Sequence, residues 1–176
     1  MRVRIIGGQF GGRFIKTLPS LRPTSDLVRK ALFDILGQEI EGANFLELYA
    51  GCGAVGIEAL GHGANQVLMV EKNRSHYQLI KDNLADLNDP LTKRALVRQM
   101  DVSDFISANQ IKYDLVFADP WYKDELDITG WENLLAPKGI LIIEHSSMNE
   151  PPENLNLKNI NHKRYVDTSL TFYIHA

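Results

Sequence analysis

Two short stretches of the chain bring together residue types that can do chemistry. In FADPWYKD, residues 117–124, a carboxylate, a proline and two adjacent aromatic rings follow an apolar run. An exocyclic amine on a ring is a poor nucleophile because its lone pair is delocalised. A carboxylate and a backbone carbonyl that accept its two N–H bonds localise that pair and aim it, and Asp119 and the Pro120 carbonyl are suited to this. Tyr122 adds a ring on which a flat substrate can stack. The bland alternative is an ordinary turn that happens to hold Trp121 and Tyr122.

The second stretch, ELYAGCGAVG (47–56), sets Gly51, Gly53 and Gly56 in a G-x-G-x-x-G pattern after an apolar run, and Glu71 follows Gly51 by 20 residues. Between a strand and a helix, this spacing is a nucleotide-cofactor signal. The glycines let backbone approach the ligand, and the acidic residue accepts from ribose hydroxyls. Glu47, four residues before Gly51, discriminates among cofactors. Its carboxylate would repel a dinucleotide pyrophosphate and attract the ammonium and sulfonium of S-adenosylmethionine (AdoMet), which favours AdoMet over NAD. Asp101 can take a proton from an adenine amine while the Val102 N–H offers one to the ring. A solvated strand end for Glu47 and a helix N-cap for Asp101 are the competing readings.

These residues need elements to position them. RVRII and RFIKTL, separated by GGQFGG, read as a basic β-hairpin. In LRPTSDLVRKALFDIL the apolar positions recur at helical spacing behind a cap at Thr24 or Ser25, which predicts a helix from about 25 to 37. Strand and helix signals then alternate. Strands are expected at 44–50, 66–71, 94–101, 113–119 and 139–145, with helices in AVGIEALGHG, RSHYQLIKDNLADL, VSDFISA and ITGWENLL. Such alternation predicts an open α/β sheet with ligands at the carboxyl ends of its strands. LKNINHKRYV and TSLTFYIHA lie too close together for a helical crossover and should pair antiparallel at one edge. Trp131 is expected in the core, and His145 as a satisfied structural histidine.

At 176 residues and 44% hydrophobic, the chain is the size of one domain with one sizeable core. Neither a signal peptide nor a membrane span is legible, so a cytoplasmic protein is expected. The single cysteine, Cys52, excludes an internal disulfide, and no Cys/His cluster has zinc-site spacing. Net charge is −3, yet residues 1–30 hold Arg2, Arg4, Arg13, Lys16, Arg22, Arg29 and Lys30 against Asp26 alone. A local basic patch engages phosphates whatever the total charge; the alternative is a solvated hairpin face.

RPTSD (22–26), ELYAGCGAVGIEAL (47–60), VEK (70–72), DLVFADPWY (114–122), IIEH (142–145) and RYVDTSLTFY (164–173) together resemble the RsmD family, in the same order over nearly the whole chain. That resemblance implies a Rossmann-like class I AdoMet-dependent methyltransferase with a seven-stranded mixed sheet and an antiparallel edge hairpin. Residues 1–20 would form a basic N-terminal hairpin extension and residues 21–176 the methyltransferase domain. The implied reaction is methylation of a guanine N2 amine in 16S ribosomal RNA. Its substrate would be that RNA, the small ribosomal subunit or an assembly intermediate, met by a monomer without metal.

By the same resemblance Asp119, Pro120, Trp121 and Tyr122 would form the catalytic tetrapeptide. Glu47, Gly51, Gly53, Glu71, Lys72, Asp101, Val102 and Asp119 would hold AdoMet, and Arg2, Arg4, Arg13, Lys16, Arg22, Thr24 and Arg164 would meet RNA. The family carries a second proline where this chain has Trp121. Trp121 therefore either loosens the amine's acceptors or adds a second stacking ring. Other readings keep part of the chemistry: methylation of DNA adenine N6 or of a protein glutamine, or a silent module that binds AdoMet and RNA. A nicotinamide oxidoreductase shares the glycine loop but lacks hydride-transfer machinery.

Overall fold

In a computed structural model of the chain, which describes residues 1–120 and 126–176, the expected alternation becomes one seven-stranded sheet covered on both faces. A two-stranded antiparallel hairpin comes first, β1 (Arg2–Arg4) and β2 (Phe14–Lys16). Helix α1 (Asp26–Leu36) follows, capped by the Ser25 hydroxyl, which accepts from the Val28 N–H. The sheet is then built from β3 (Asn44–Leu48), α2 (Ala54–Gly61), β4 (Gln66–Glu71), α3 (Arg74–Leu87), β5 (Ala95–Gln99), α4 (Val102–Ala108), β6 (Tyr113–Ala118), β7 (Leu135–Ser146), β8 (Leu157–Arg164) and β9 (Thr168–His175).

Strand order is β5-β4-β3-β6-β7-β9-β8. Strands β3 to β7 run parallel, and β9 enters antiparallel between β7 and β8. The chain winds outward from β3 to β5, then returns to β6 on the other side of β3. That reversal opens a crevice between β3 and β6, where a ligand can enter without meeting a crossover. Glu47 pairs with Phe117 and Leu48 with Ala118, so the glycine loop and Asp119 leave the sheet side by side.

Burial explains the strand compositions. Central β3 is covered on both faces, so Phe45, Leu46 and Leu48 are all buried, without polar alternation. Helix α2 is buried from Ala54 through Leu60 because the hairpin lies over it. The Gln9 N–H donates to the Gly61 carbonyl at 2.8 Å, and a Cβ on Gly8 would fall 2.3 Å from the Gly61 carbonyl carbon. Val3, Ile5, Phe10 and Ile15 therefore share one core with α1, α2 and α3. The opposite face of the sheet buries Val102, Phe105 and Trp131.

ITGWENLL departs from expectation. Instead of a helix it forms one 3-10 turn, Trp131–Leu134, entered through Gly130 at φ 84°, and β7 begins at once with Leu135. Gly130 interrupts the apolar helical pattern, and a left-handed residue there ends any preceding turn. Strand β7 also starts at Leu135, four residues before the expected 139. The register slips between Tyr113 and Leu115, and Gly139 lets the Tyr113 carbonyl approach where a Cβ would sit at 2.8 Å. The expected edge hairpin is present, as is the buried Trp131. His145 is a satisfied histidine, with Nε2 2.8 Å from Thr171 Oγ1. No helix among the described residues is long and apolar enough to cross a membrane.

Candidate active site

The crevice between β3 and β6 opens into a cavity of about 720 Å3. Its wall includes Glu47, Gly51, Glu71, Lys72, Val102, Asp119 and Pro120, which the topology gathers from four strand ends. Trp121 and Tyr122 lie outside the described residues. Gly53 stands behind the wall, where it takes φ 78° at the start of α2 and faces Ile80 and Met69. Asp101 is also absent from the wall. Its carboxylate caps α4 by accepting from the Ser103 N–H at 3.0 Å, and it lies 3.4 Å from Lys72 Nζ.

Two of the wall carboxylates, Glu71 and Glu47, are fixed by backbone. Glu71 accepts from the Gly51 N–H at 2.9 Å and the Asn73 N–H at 2.8 Å, one on each oxygen, which leaves further lone pairs on both for a ligand hydroxyl. Glu47 is 3% exposed and accepts from the Gly56 N–H at 2.9 Å, inside the first turn of α2. Burial, opposed by that bond and reinforced by the charges of Asp119 and Glu71, raises the Glu47 pKa to about 8. Asp119 accepts from the Thr24 hydroxyl at 3.3 Å. A cavity walled by Glu47, Glu71 and Asp119 suits a cationic ligand and disfavours a pyrophosphate.

Gly56 shows how tightly Glu47 is seated. Glycine to alanine inside a helix ordinarily gains up to about 1 kcal/mol. Here the added Cβ would sit 2.6 Å from Glu47 Oε2 and 2.8 Å from Met69 Sδ. The sign reverses: Gly56→Ala is expected to destabilise the fold by about 1–3 kcal/mol in chemical denaturation.

Further residues complete the wall. Tyr49 adopts φ 59°, a rare backbone for a bulky residue, immediately before the loop. His76 reaches the wall from α3 with Nδ1 3.7 Å from Glu71 Oε1. Glu144 enters from the end of β7, and Tyr165, Val166 and Asp167 from the β8–β9 turn. Cys52 also lines the cavity, but its thiol is 3% exposed and burial raises its pKa to about 11, so it fills space and is not a reactive thiolate.

The residues expected to meet RNA divide. Arg2, Arg4 and Lys16 lie on the outward face of the hairpin around Phe14, which is 59% exposed. Lys16 pairs with Asp86 at 2.7 Å, and Arg13 donates to the Leu87 carbonyl at 2.6 Å. Arg164 is exposed at the end of β8. Arg22 lies at the cavity, 3.6 Å from Asp167 of the β8–β9 turn. Thr24 is buried in the cavity wall, facing Asp119. Arg29, counted with the basic segment by charge alone, is 1% exposed and pairs with Glu58 at 2.8 Å. Among the described residues no group of three or more His, Cys, Asp or Glu is placed to hold a metal ion.

Comparison with known proteins agrees with this architecture. The family described as Conserved hypothetical protein 95 matches residues 3–174. Ribosomal RNA small subunit methyltransferase D of Escherichia coli K12 is 33% identical over 161 residues, covering 86% of this chain and 78% of that protein. The protein of the same name from Haemophilus influenzae is 32% identical over 167 residues, covering 88% and 86%. The solved structure of Escherichia coli yhhF superposes with a TM-score of 0.85 at 31% identity, covering 99% of this chain and 98% of that one. The fold is that of class I methyltransferases. With the family's pattern running from residue 3 to residue 174, the chain belongs to the RsmD family of methyltransferases.

Proposed function

We propose that this chain transfers a methyl group from AdoMet to the exocyclic N2 amine of a guanine in 16S ribosomal RNA. One observation carries the reading: the glycine loop with its two buried carboxylates and the DP pair that ends β6 wall a single cavity. The names of the relatives, small subunit methyltransferases, supply the RNA.

The chain's residues fit AdoMet. Gly51 and Glu71 form a backbone-pinned cradle for a ribose, and Glu47 supplies the negative charge that a sulfonium and an ammonium seek. AdoMet, when bound, supplies an electrophilic methyl with a good leaving group already in place. Asp119 and the Pro120 carbonyl accept the two N–H bonds of the amine and hold its lone pair in line, and Asp119 takes up the proton that the amine sheds. Neither a metal nor a covalent intermediate is required. The exposed Arg2, Arg4 and Phe14 on the hairpin extend a phosphate- and base-binding face beyond the cavity.

Glu47 gives the cofactor assignment a pH signature. Its pKa is about 8 in the folded chain against 4.5 in a free side chain, so between those values the folded state holds a proton that the unfolded state releases. Stability contributed at this site is therefore lost as pH rises through that window. Binding of a cation runs the other way, because it favours the ionised carboxylate. AdoMet affinity is expected to rise about tenfold per pH unit below pH 7 and to flatten above about 8. Calorimetric titrations across this range would detect the slope, and Glu47→Gln should abolish it. A slope that survives the substitution would remove Glu47 from the cofactor site.

The substrate is tested by offering labelled AdoMet to small-subunit particles, protein-free 16S rRNA, duplex DNA and ribosomal protein, all unmethylated. Label in the small-subunit RNA supports the reading. Label confined to DNA or protein overturns it.

A further inference from the structure

Glu144 is a second buried carboxylate beside the DP pair, and its bonding is incomplete. It is 5% exposed and lines the cavity. Ile143 of β7 pairs with Ala118 of β6, so Glu144 emerges level with Asp119, one strand away. The Thr24 and Thr168 hydroxyls both hydrogen-bond Glu144. Each hydroxyl has a single proton, which Glu144 shares with a second acceptor: Asp119 Oδ2 lies 3.3 Å from the Thr24 oxygen and the His145 carbonyl 2.9 Å from that of Thr168. Both contacts lower the Glu144 pKa, as donors to a carboxylate do, while burial raises it by more.

The other carboxyl oxygen, Oε2, is buried and has no hydrogen-bond partner among the described residues. If the proton resides on Oε1 against a threonine, Oε2 is a carbonyl acceptor; if the group is ionised, Oε2 is an acceptor still. Oε2 itself is covered, but Glu144 lines the wall, and a turn of its carboxyl would bring this bare acceptor to the place proposed for the amine. A buried acceptor in that state is costly until a donor arrives.

Among the bases that carry an exocyclic amine, guanine alone has a ring N–H next to it. N1–H flanks the N2 amine, whereas adenine N1 and cytosine N3 are bare acceptors beside theirs. A flipped base is read along this edge. We propose that Glu144 Oε2 accepts the N1–H of the substrate guanine while Asp119 holds its amine, so that Glu144 selects guanine over adenine and cytosine. This inference rests on the methyl-transfer reading above and supplies the base selectivity that an amine-holding tetrapeptide lacks by itself.

The test uses 2-aminopurine, which keeps the 2-amine but has no proton on N1. Once product analysis locates the methylated guanine, small-subunit RNA is ligated with either base at that position. Methyl transfer is then measured for the wild type, Glu144→Leu and the isosteric Glu144→Gln. The wild type is expected to prefer guanine by about 10- to 100-fold in kcat/KM. Both variants should narrow that preference, Glu144→Leu to within about threefold, while AdoMet affinity stays within about twofold of wild type. The missing O6 of the analogue affects every enzyme alike and cancels in the ratio of preferences. If Glu144→Leu fails to fold, Glu144→Gln decides. Active variants that keep the wild-type preference overturn the role of Glu144 alone. A wild type that methylates no guanine overturns the reading beneath it as well.

Discussion

Asp119→Ala is expected to lower methyl transfer by about 10^3-fold while leaving AdoMet affinity within about threefold. Removing one group that stabilises a developing charge in an enclosed site typically costs about 10^2–10^3 in kcat, and loss of a general base about 10^2–10^4, so about 10^3 lies within both ranges. The cofactor half of the cavity does not depend on Asp119. Gly51 is held by Glu71, and Glu47 by Gly56. Loss of the Asp119 charge removes one of the influences that raise the Glu47 pKa, so cation binding near neutral pH should not weaken. Asp119→Asn keeps one acceptor oxygen and should retain more turnover than alanine. Single-turnover rates at saturating AdoMet, with calorimetric binding on the same preparations, separate the two effects. Turnover within tenfold of wild type in Asp119→Ala would remove this residue from the chemistry.

Arg29→Ala is expected to be the most destabilising single change in the amino-terminal third of the chain. Arg29 is buried and spends its guanidinium on four partners: Glu58 Oε1 at 2.8 Å, the Thr24 carbonyl, the Arg4 carbonyl at 2.6 Å and Asp26 Oδ1 at 2.8 Å. The same Glu58 oxygen accepts from the Ile6 N–H at 3.0 Å, so one ion pair ties the hairpin, the RPT segment, α1 and α2 together. Its truncation leaves Glu58 buried without a counter-charge. Breaking one side of a buried pair costs about 3–5 kcal/mol. In a domain of this size that corresponds to a fall in Tm of roughly 6–20 °C. Arg29→Lys should rescue little, because an ammonium cannot reach four partners in a fork. Activity should fall with stability, since Arg29 anchors the backbone of Thr24, whose hydroxyl contacts Asp119. Thermal and denaturant unfolding would check the magnitude, and a loss under 1 kcal/mol would contradict this account of the junction.

Arg29 also shows where reading a sequence stops. Counted by charge, it belongs to a basic segment with Arg2 and Arg4; only the packing of α1 against α2 reveals that Glu58 faces it. Periodicity located α1 and α3 to within a residue or two, and Ser25, one of the two candidate caps, marks the start of α1. ITGWENLL misled because Gly130 breaks a pattern whose apolar spacing is helical. Glu47, Glu71 and Asp119 were legible as strand-end carboxylates, since the doubly wound topology sends strand ends to one crevice. Glu144 stands at a strand end as well, but its relation to Asp119 depends on the β6–β7 register, and its bare oxygen on the placement of two threonines. His76 and Tyr49 entered the wall through a helix face and a strained backbone, neither of which leaves a spacing to read. Gly53 matches the glycine motif while a Cβ there would face Ile80 and Met69, and Asp101 makes the helix cap that was its competing reading.

The central claim is the atom that receives the methyl group. The most direct measurement is nucleoside analysis of unmethylated small-subunit RNA after incubation with labelled AdoMet and either wild type or Asp119→Ala. The account predicts label in N2-methylguanosine from the wild type and almost none from the variant. Label in another nucleoside, or equal label from both proteins, would contradict it.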